Sequence, residues 1–115
     1  MGNLANLAAE WTDVGVVDDI PPLGSRVIAT SLGDVAVFRA SSGEIFALRD
    51  KCPHKGGPLS QGIVHGKRVT CPLHSWVIAL ETGEAVAPDE GCAHTVPCRI
   101  TDGHVLLKLP LQWAA

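Results

Sequence analysis

Turn-forming residues recur along most of this chain, and their spacing constrains the fold more than any other feature. Short runs rich in β-branched and apolar residues, such as 26–30, 35–38 and 45–48, alternate with glycine-containing turns. These turns lie at 32–34, 41–44, 64–67, 81–84 and 102–104. Turn signals that recur about every 8–12 residues are typical of a sandwich or barrel of short strands. The sequence therefore predicts an all-β fold.

Size and charge favour one domain and argue against two classes of partner. A chain of 115 residues with 46% hydrophobic residues fits a single domain with its own core. Its net charge of −3 offers no basic footprint for a nucleic acid. The longest apolar run, 76–80, is far shorter than the roughly 20 residues that cross a bilayer. The first basic residue is Arg26, which does not fit a secretory signal. We expect a cytoplasmic domain that binds neither nucleic acid nor membrane.

Cysteine and histidine occur together at two places. The sequence Cys52-Pro53-His54 is followed, after 16 intervening residues, by Cys71-Pro72-Leu73-His74. The first motif lies in the Pro- and Gly-rich segment 51–60, a composition typical of a loop that wraps closely around something. Two thiolates and two imidazoles form a four-ligand set for one metal or one small cluster. Cys52, His54, Cys71 and His74 are therefore candidate metal ligands.

The order of these ligands favours an iron–sulfur cluster over zinc. Zinc sites commonly pair like ligands, as C-x₂₋₄-C and H-x₃₋₅-H. Here each motif holds one Cys and one His. That order suits a Rieske 2Fe–2S centre, in which one iron takes both cysteines and the other takes both histidines. A structural zinc site stays open as an alternative, as does the reading of each residue alone as a buried cysteine or a solvated histidine.

The two motifs look like the ligand motifs of a Rieske-type domain, and the chain from Trp11 to Leu109 resembles that family. The resemblance implies three antiparallel sheets with an inserted two-loop subdomain that binds the cluster. It gives residues 1–115 as one domain, with the cluster-binding insertion at approximately 50–87. It implies that Cys52 and Cys71 bind the inner iron, and that His54 and His74 bind the outer iron. The segment Ala87-Pro88-Asp89-Glu90-Gly91 resembles the proline-containing third loop that covers the cluster.

Four positions distinguish this chain from high-potential Rieske proteins, which carry a disulfide between the two ligand loops and a Ser and a Tyr that donate hydrogen bonds to sulfur. The corresponding positions here are Gly57 and Leu73 for the disulfide, and Trp76 and Ile78 for the hydroxyls. Fewer hydrogen-bond donors stabilise the reduced form less. We therefore expect a potential in the lower part of the Rieske range of roughly −150 to +300 mV.

Three stretches resemble the small subunit of assimilatory NAD(P)H-dependent nitrite reductase: 13–22, 55–66 and 88–92. That resemblance implies an electron-transfer role in nitrate assimilation. The partner would be a large subunit with siroheme, a 4Fe–4S cluster and FAD, which reduces nitrite to ammonium, whereas the isolated chain would reduce no nitrite. The alternative is a stand-alone Rieske ferredoxin that feeds an aromatic-ring-hydroxylating dioxygenase. A third hypothesis is a zinc module that only binds partners.

Other residues near the motifs have simpler interpretations. Trp76 is expected to pack in the core, and Lys51 and Lys55 to keep the first loop solvated, although docking is an open alternative for all three. Cys92 and Cys98 are expected to pack as small apolar side chains. The remaining histidines, His65, His94 and His104, are expected to be exposed to solvent. The same is expected of an acidic face formed by Glu81, Glu84, Asp89 and Glu90.

Overall fold

A computed structural model of the chain describes residues 11–53, 56–73 and 75–109. Within these ranges the chain forms ten strands and two short 3₁₀ helices, at Val17–Asp19 and Leu59–Gln61. The strands are β1 (Trp11–Val16), β2 (Ser25–Thr30), β3 (Gly33–Arg39), β4 (Ile45–Arg49), β5 (Ile63–His65), β6 (Arg68–Thr70), β7 (Val77–Ala79), β8 (Thr95–Val96), β9 (Cys98–Thr101) and β10 (His104–Lys108). No helix in the described part of the chain is long and apolar enough to cross a membrane.

These strands form three antiparallel sheets, which confirms the predicted fold class. The first sheet has the order β1-β10-β9, the second β2-β3-β4-β8 and the third β5-β6-β7. Asp102 and Gly103 form the turn between β9 and β10, and both have positive φ, at 51° and 79°. Two central residues with positive φ define the type I′ hairpin turn that the Asp-Gly pair predicts.

The second sheet is the centre of the molecule, because both of its faces are covered. Along β3, Ala36 and Phe38 pack against the third sheet and the ligand loops. The alternate residues Val35 and Val37 pack into a separate cluster with Val105 and other residues of the first sheet. All four β3 residues are at most 1% exposed. Because successive side chains of a strand point to opposite faces, one uninterrupted apolar run can support two cores.

The third sheet lies between β4 and β8 in the sequence and carries the two motif loops. The first loop joins β4 to the 3₁₀ helix Leu59–Gln61, and the second joins β6 to β7. Buried Leu59, Val69 and Ile78 anchor these elements against the second sheet. This packing fixes the base from which both loops project.

Candidate metal centre

The two motif loops are built alike. The Cys52 backbone N–H donates to the Gly57 carbonyl at 2.8 Å, and the Cys71 N–H donates to the Trp76 carbonyl at 2.7 Å. In each loop the residue before that carbonyl has a left-handed backbone, with φ of 72° at Gly56 and 57° at Ser75. In each motif, therefore, a loop of the same length begins at the cysteine and is closed by a hydrogen bond from the cysteine backbone. Ser75 accepts a conformation that is costly for a residue with a side chain.

The loops bring the two cysteine thiols together. Cys52 and Cys71 are 2% and 1% exposed, and neither forms a disulfide. Burial raises the pKa of the Cys71 thiol; the Leu73 N–H, which lies 3.4 Å from the sulfur, opposes this, and the neighbouring Cys52 thiol adds to it. Two adjacent buried thiols from different loops form a donor set that fits the cysteine half of a Rieske cluster.

Both candidate histidines, His54 and His74, and also Lys55, lie outside the described residues. In the sequence each histidine falls inside one of the two closed loops. Within residues 11–53, 56–73 and 75–109 there is no group of three or more His, Cys, Asp or Glu side chains that would form a competing metal site. The assignment of all four ligands stays a prediction.

Gly91, at the end of the segment 87–91, lies close to Pro53 and Trp76 of the two motif loops. A β-carbon placed on Gly91 would be 3.0 Å from Pro53 Cβ in the first loop and 3.5 Å from Trp76 Cζ3 at the end of the second. The Trp76 side chain is half-buried against the core, as the sequence predicts. The position of this segment agrees with its resemblance to a third loop that covers the cluster.

Asp50 and Ser60 hold the first loop in place, although neither residue belongs to a motif. The Asp50 carboxylate accepts hydrogen bonds from the Ser60 backbone N–H and hydroxyl, each at 2.7 Å. Ser25 donates its hydroxyl to the Ser60 carbonyl at 2.8 Å, which ties this segment to β2. No local sequence pattern marks such a contact, since nine residues separate the two bonded residues in the chain.

The structure confirms some of the expectations for the remaining cysteines and histidines and corrects others. The expectation for Cys92 is wrong: its side chain is exposed, because it lies outside both apolar clusters. Cys98 is half-buried and packs beside the cluster that contains Val105. His65 and His104 are exposed as expected, whereas His94 is half-buried.

Comparison with known proteins identifies the family. Residues 10–105 match the family model of the Rieske [2Fe-2S] domain. The anthranilate 1,2-dioxygenase ferredoxin subunit of Burkholderia cepacia is 36% identical over 98 residues, which cover 84% of this chain and 90% of that protein.

Solved structures show the same fold. A protein named an NADH-dependent nitrite reductase small subunit, from Mycobacterium tuberculosis, has a TM-score of 0.76 at 25% identity, with 85% of this chain and 93% of that chain covered. A ferredoxin of Sphingomonas yanoikuyae B1 has a TM-score of 0.78 at 24% identity, with 88% of this chain and 100% of that chain covered. The chain therefore belongs to the Rieske [2Fe-2S] domain family, and it is an electron-transfer protein that holds a Rieske 2Fe–2S cluster.

Proposed function

We propose that this chain is the ferredoxin component of an aromatic-ring dioxygenase system, in which it carries one electron at a time from a reductase to an oxygenase. The observation that carries the proposal is the similarity to the Burkholderia cepacia ferredoxin subunit along nearly the whole of both chains.

In this proposal Cys52 and Cys71 bind the inner iron, while His54 and His74 bind the outer iron. Support comes from the position of the two buried thiols side by side on matched loops. When bound, the cluster accepts and releases one electron, and histidine ligation raises its potential above that of an all-cysteine cluster. These four side chains would occupy every coordination position that the cluster offers to the protein, so no position would be left for a substrate.

The chain's own residues set the environment of that site. The buried Cys52 and Cys71 keep water from the thiolate side, and the Leu73 N–H lies 3.4 Å from the Cys71 sulfur, where it stabilises negative charge. The same proposal treats residues 1–115 as one domain with the cluster-binding insertion at approximately 50–87. Both motif loops and the third sheet fall within that insertion.

The second candidate is the small subunit of an assimilatory NAD(P)H nitrite reductase, whose partner would be the large siroheme, 4Fe–4S and FAD subunit. Two observations favour it: the three sequence stretches at 13–22, 55–66 and 88–92, and the structural similarity to the Mycobacterium tuberculosis protein. It ranks second because the identity to that protein is 25%, against 36% for the dioxygenase ferredoxin.

One set of experiments separates these functions. Iron and acid-labile sulfide analysis, with an EPR spectrum of the reduced chain, distinguishes a Rieske cluster from zinc. The holoprotein is then added to purified reductase and oxygenase components of an anthranilate dioxygenase, and product formation is compared with and without it. Turnover that depends on this chain supports the ferredoxin role. Absence of turnover, together with co-purification of a large siroheme flavoprotein from the native host, would establish the nitrite reductase role instead.

A further inference from the structure

A cleft of about 450 Å³ opens beside the first motif loop. Its wall includes Cys52 and Pro53 of that loop, and Cys92 and His94 from the segment that follows the third loop. The exposed side chain of Lys51 lies at its edge. The cleft therefore lies directly against one of the candidate cluster ligands.

The lining of this cleft is basic. Arg49 and Lys51 carry positive charge at neutral pH, and His94 lies in the same lining. Among the described residues, neither Asp nor Glu lines the cleft. The nearest carboxylate in the sequence, Asp50, is bonded to Ser60 at 2.7 Å through each oxygen. The chain as a whole has a net charge of −3, so the cleft is a basic site on an acidic protein.

Backbone contacts hold the basic residues in position. The Arg49 N–H donates to the His94 carbonyl at 2.8 Å, which joins the two walls of the cleft. The Lys51 N–H donates to the Arg49 carbonyl at 2.7 Å. The stem of Lys51 runs beside the loop, since a β-carbon on Gly56 would be 3.2 Å from Lys51 Cε. The positive groups are thus arranged on the structure that carries Cys52.

We propose that this cleft is the docking site for an acidic surface segment of the protein redox partner, in which a carboxylate enters beside Lys51. The inference rests on the proposed electron-transfer function and adds the chemistry of the partner. Charge complementarity steers diffusional encounters and fixes the orientation of the complex. Because the basic groups adjoin a ligand of the cluster, an acidic partner is oriented with its own redox site towards this one.

The cleft is open to solvent, which suits a protein surface. Lys51, Gly56 and Cys92 in its lining are all exposed. A protruding carboxylate can therefore reach Lys51 without rearrangement of the loop. The exposed Cys92 thiol in the same lining also provides a chemical reporter of occupancy.

The first test uses two outer-sphere oxidants of opposite charge, Fe(III)-EDTA and hexaammineruthenium(III). The reduced holoprotein gives one electron to each oxidant molecule, forming Fe(II)-EDTA or hexaammineruthenium(II), and no bond forms or breaks in the protein. We expect Lys51→Glu to slow the reaction with Fe(III)-EDTA about fivefold at low ionic strength and to speed the reaction with the ruthenium complex. Lys51→Gln should have an intermediate effect.

Lys108→Glu is the matched control, because it makes the same charge change at the end of β10 in the first sheet. We expect it to change the ratio of the two rates by less than about twofold. Equal changes of this ratio in Lys51→Glu and Lys108→Glu would show that only net charge matters and would overturn the proposal.

The second test measures docking without electron transfer. Cys92 alkylation by iodoacetamide is followed by mass spectrometry in the presence of octaglutamate, octalysine or acetate. We expect octaglutamate to slow alkylation severalfold in the unmodified chain but not in Lys51→Glu, and octalysine to have no effect. Protection by acetate equal to that by octaglutamate, at the same carboxylate concentration, would identify a small-anion site and overturn the proposal.

The result that would contradict the proposed function differs from the result that would contradict the docking site. Protein that shows octaglutamate protection but binds no iron contradicts the proposed function and leaves the acidic docking site supported. Protein that holds the cluster but shows neither charge discrimination nor protection contradicts the docking site and leaves the electron-transfer function intact.

Discussion

The Leu73 side chain lies directly over Gly57, so that a β-carbon on residue 57 would be 2.8 Å from Leu73 Cδ1 and 3.4 Å from the Cys71 sulfur. These are the two positions at which high-potential Rieske proteins carry their bridging cysteines. In this chain a glycine and a leucine join the two motif loops by packing instead of by a covalent bond. Leu73 is 42% exposed, so its tip can move aside more easily than a buried residue.

Gly57→Ala is expected to destabilise the holoprotein by about 1 kcal/mol, because the added methyl overpacks the contact with Leu73. The temperature at which the visible absorption of the cluster is lost should fall by about 4 °C at a fixed scan rate. The double variant Gly57→Ala/Leu73→Ala should lose less than the sum of the two single variants. Strict additivity would contradict this contact.

Cys52→Ser and Cys71→Ser are each expected to abolish the cluster, because a serine hydroxyl cannot replace a soft thiolate ligand. The chain provides its own controls in Cys92→Ser and Cys98→Ser, which should retain iron and sulfide. The measurement is iron and sulfide content after anaerobic reconstitution. Full iron content in Cys71→Ser, or its loss in Cys92→Ser, would show that the ligand assignment is wrong.

The reduction potential is expected in the lower part of the range of roughly −150 to +300 mV. Neither Trp76 nor Ile78 carries a hydroxyl that could donate to sulfur, and Ile78 is fully buried in β7. An EPR-monitored redox titration measures this value. A potential near the top of the range would mean that other donors replace the missing hydroxyls.

Gly83→Ala is expected to destabilise the protein by about 3 kcal/mol, from overpacking and backbone strain together. Gly83 has φ of 78°, and a β-carbon there would collide with the Ala93 carbonyl oxygen. The collision would also disturb the 2.7 Å hydrogen bond from the Ala93 N–H to the Gly83 carbonyl. Gly43→Ala is the matched control, since Gly43 has φ of 90° with nothing near its β-carbon position.

For Gly43→Ala we expect the free energy of unfolding to fall by about 1 kcal/mol, which is the cost of placing alanine in a left-handed backbone conformation. Thermal loss of the visible absorption, recorded at one scan rate, compares the two variants. Similar midpoints for Gly83→Ala and Gly43→Ala would contradict the close approach to Ala93.

Cys98 is expected to react with iodoacetamide at a higher pH than an ordinary cysteine does. Burial raises the pKa of this thiol above that of an ordinary cysteine, and the thiol donates a hydrogen bond to the Ile45 carbonyl at 3.2 Å. The buried neutral thiol thus contributes stability that is fully present below the pKa of the unfolded state and is lost as the pH rises through the higher pKa of the folded state. A pH profile of Cys98 alkylation should have a higher midpoint in the folded holoprotein than in the chain unfolded in urea. Equal midpoints in the two states would show that the thiol is not buried in solution.

Much of the local structure follows from short stretches of sequence. The pair Asp102-Gly103 predicts a type I′ turn, and both residues adopt positive φ there. The motif at 52–54 and the motif at 71–74 predict the kind of cluster, because the ligand types and their order are chemical properties of the chain. The exposure of Cys92 was not predictable in this way, since it depends on which neighbours cover the residue.

The all-β class and the type of cluster could be predicted from short stretches of the chain, because turn geometry and ligand chemistry depend on a few neighbouring residues. The contact of Leu73 with Gly57 and the position of Arg49 and His94 in one cleft follow instead from the packing of the folded chain. Those pairs are far apart in the chain, and their meeting depends on how three sheets pack around the buried β3 strand. Local preferences carry no information about such distant contacts, because the contacts form only when the whole apolar core is buried.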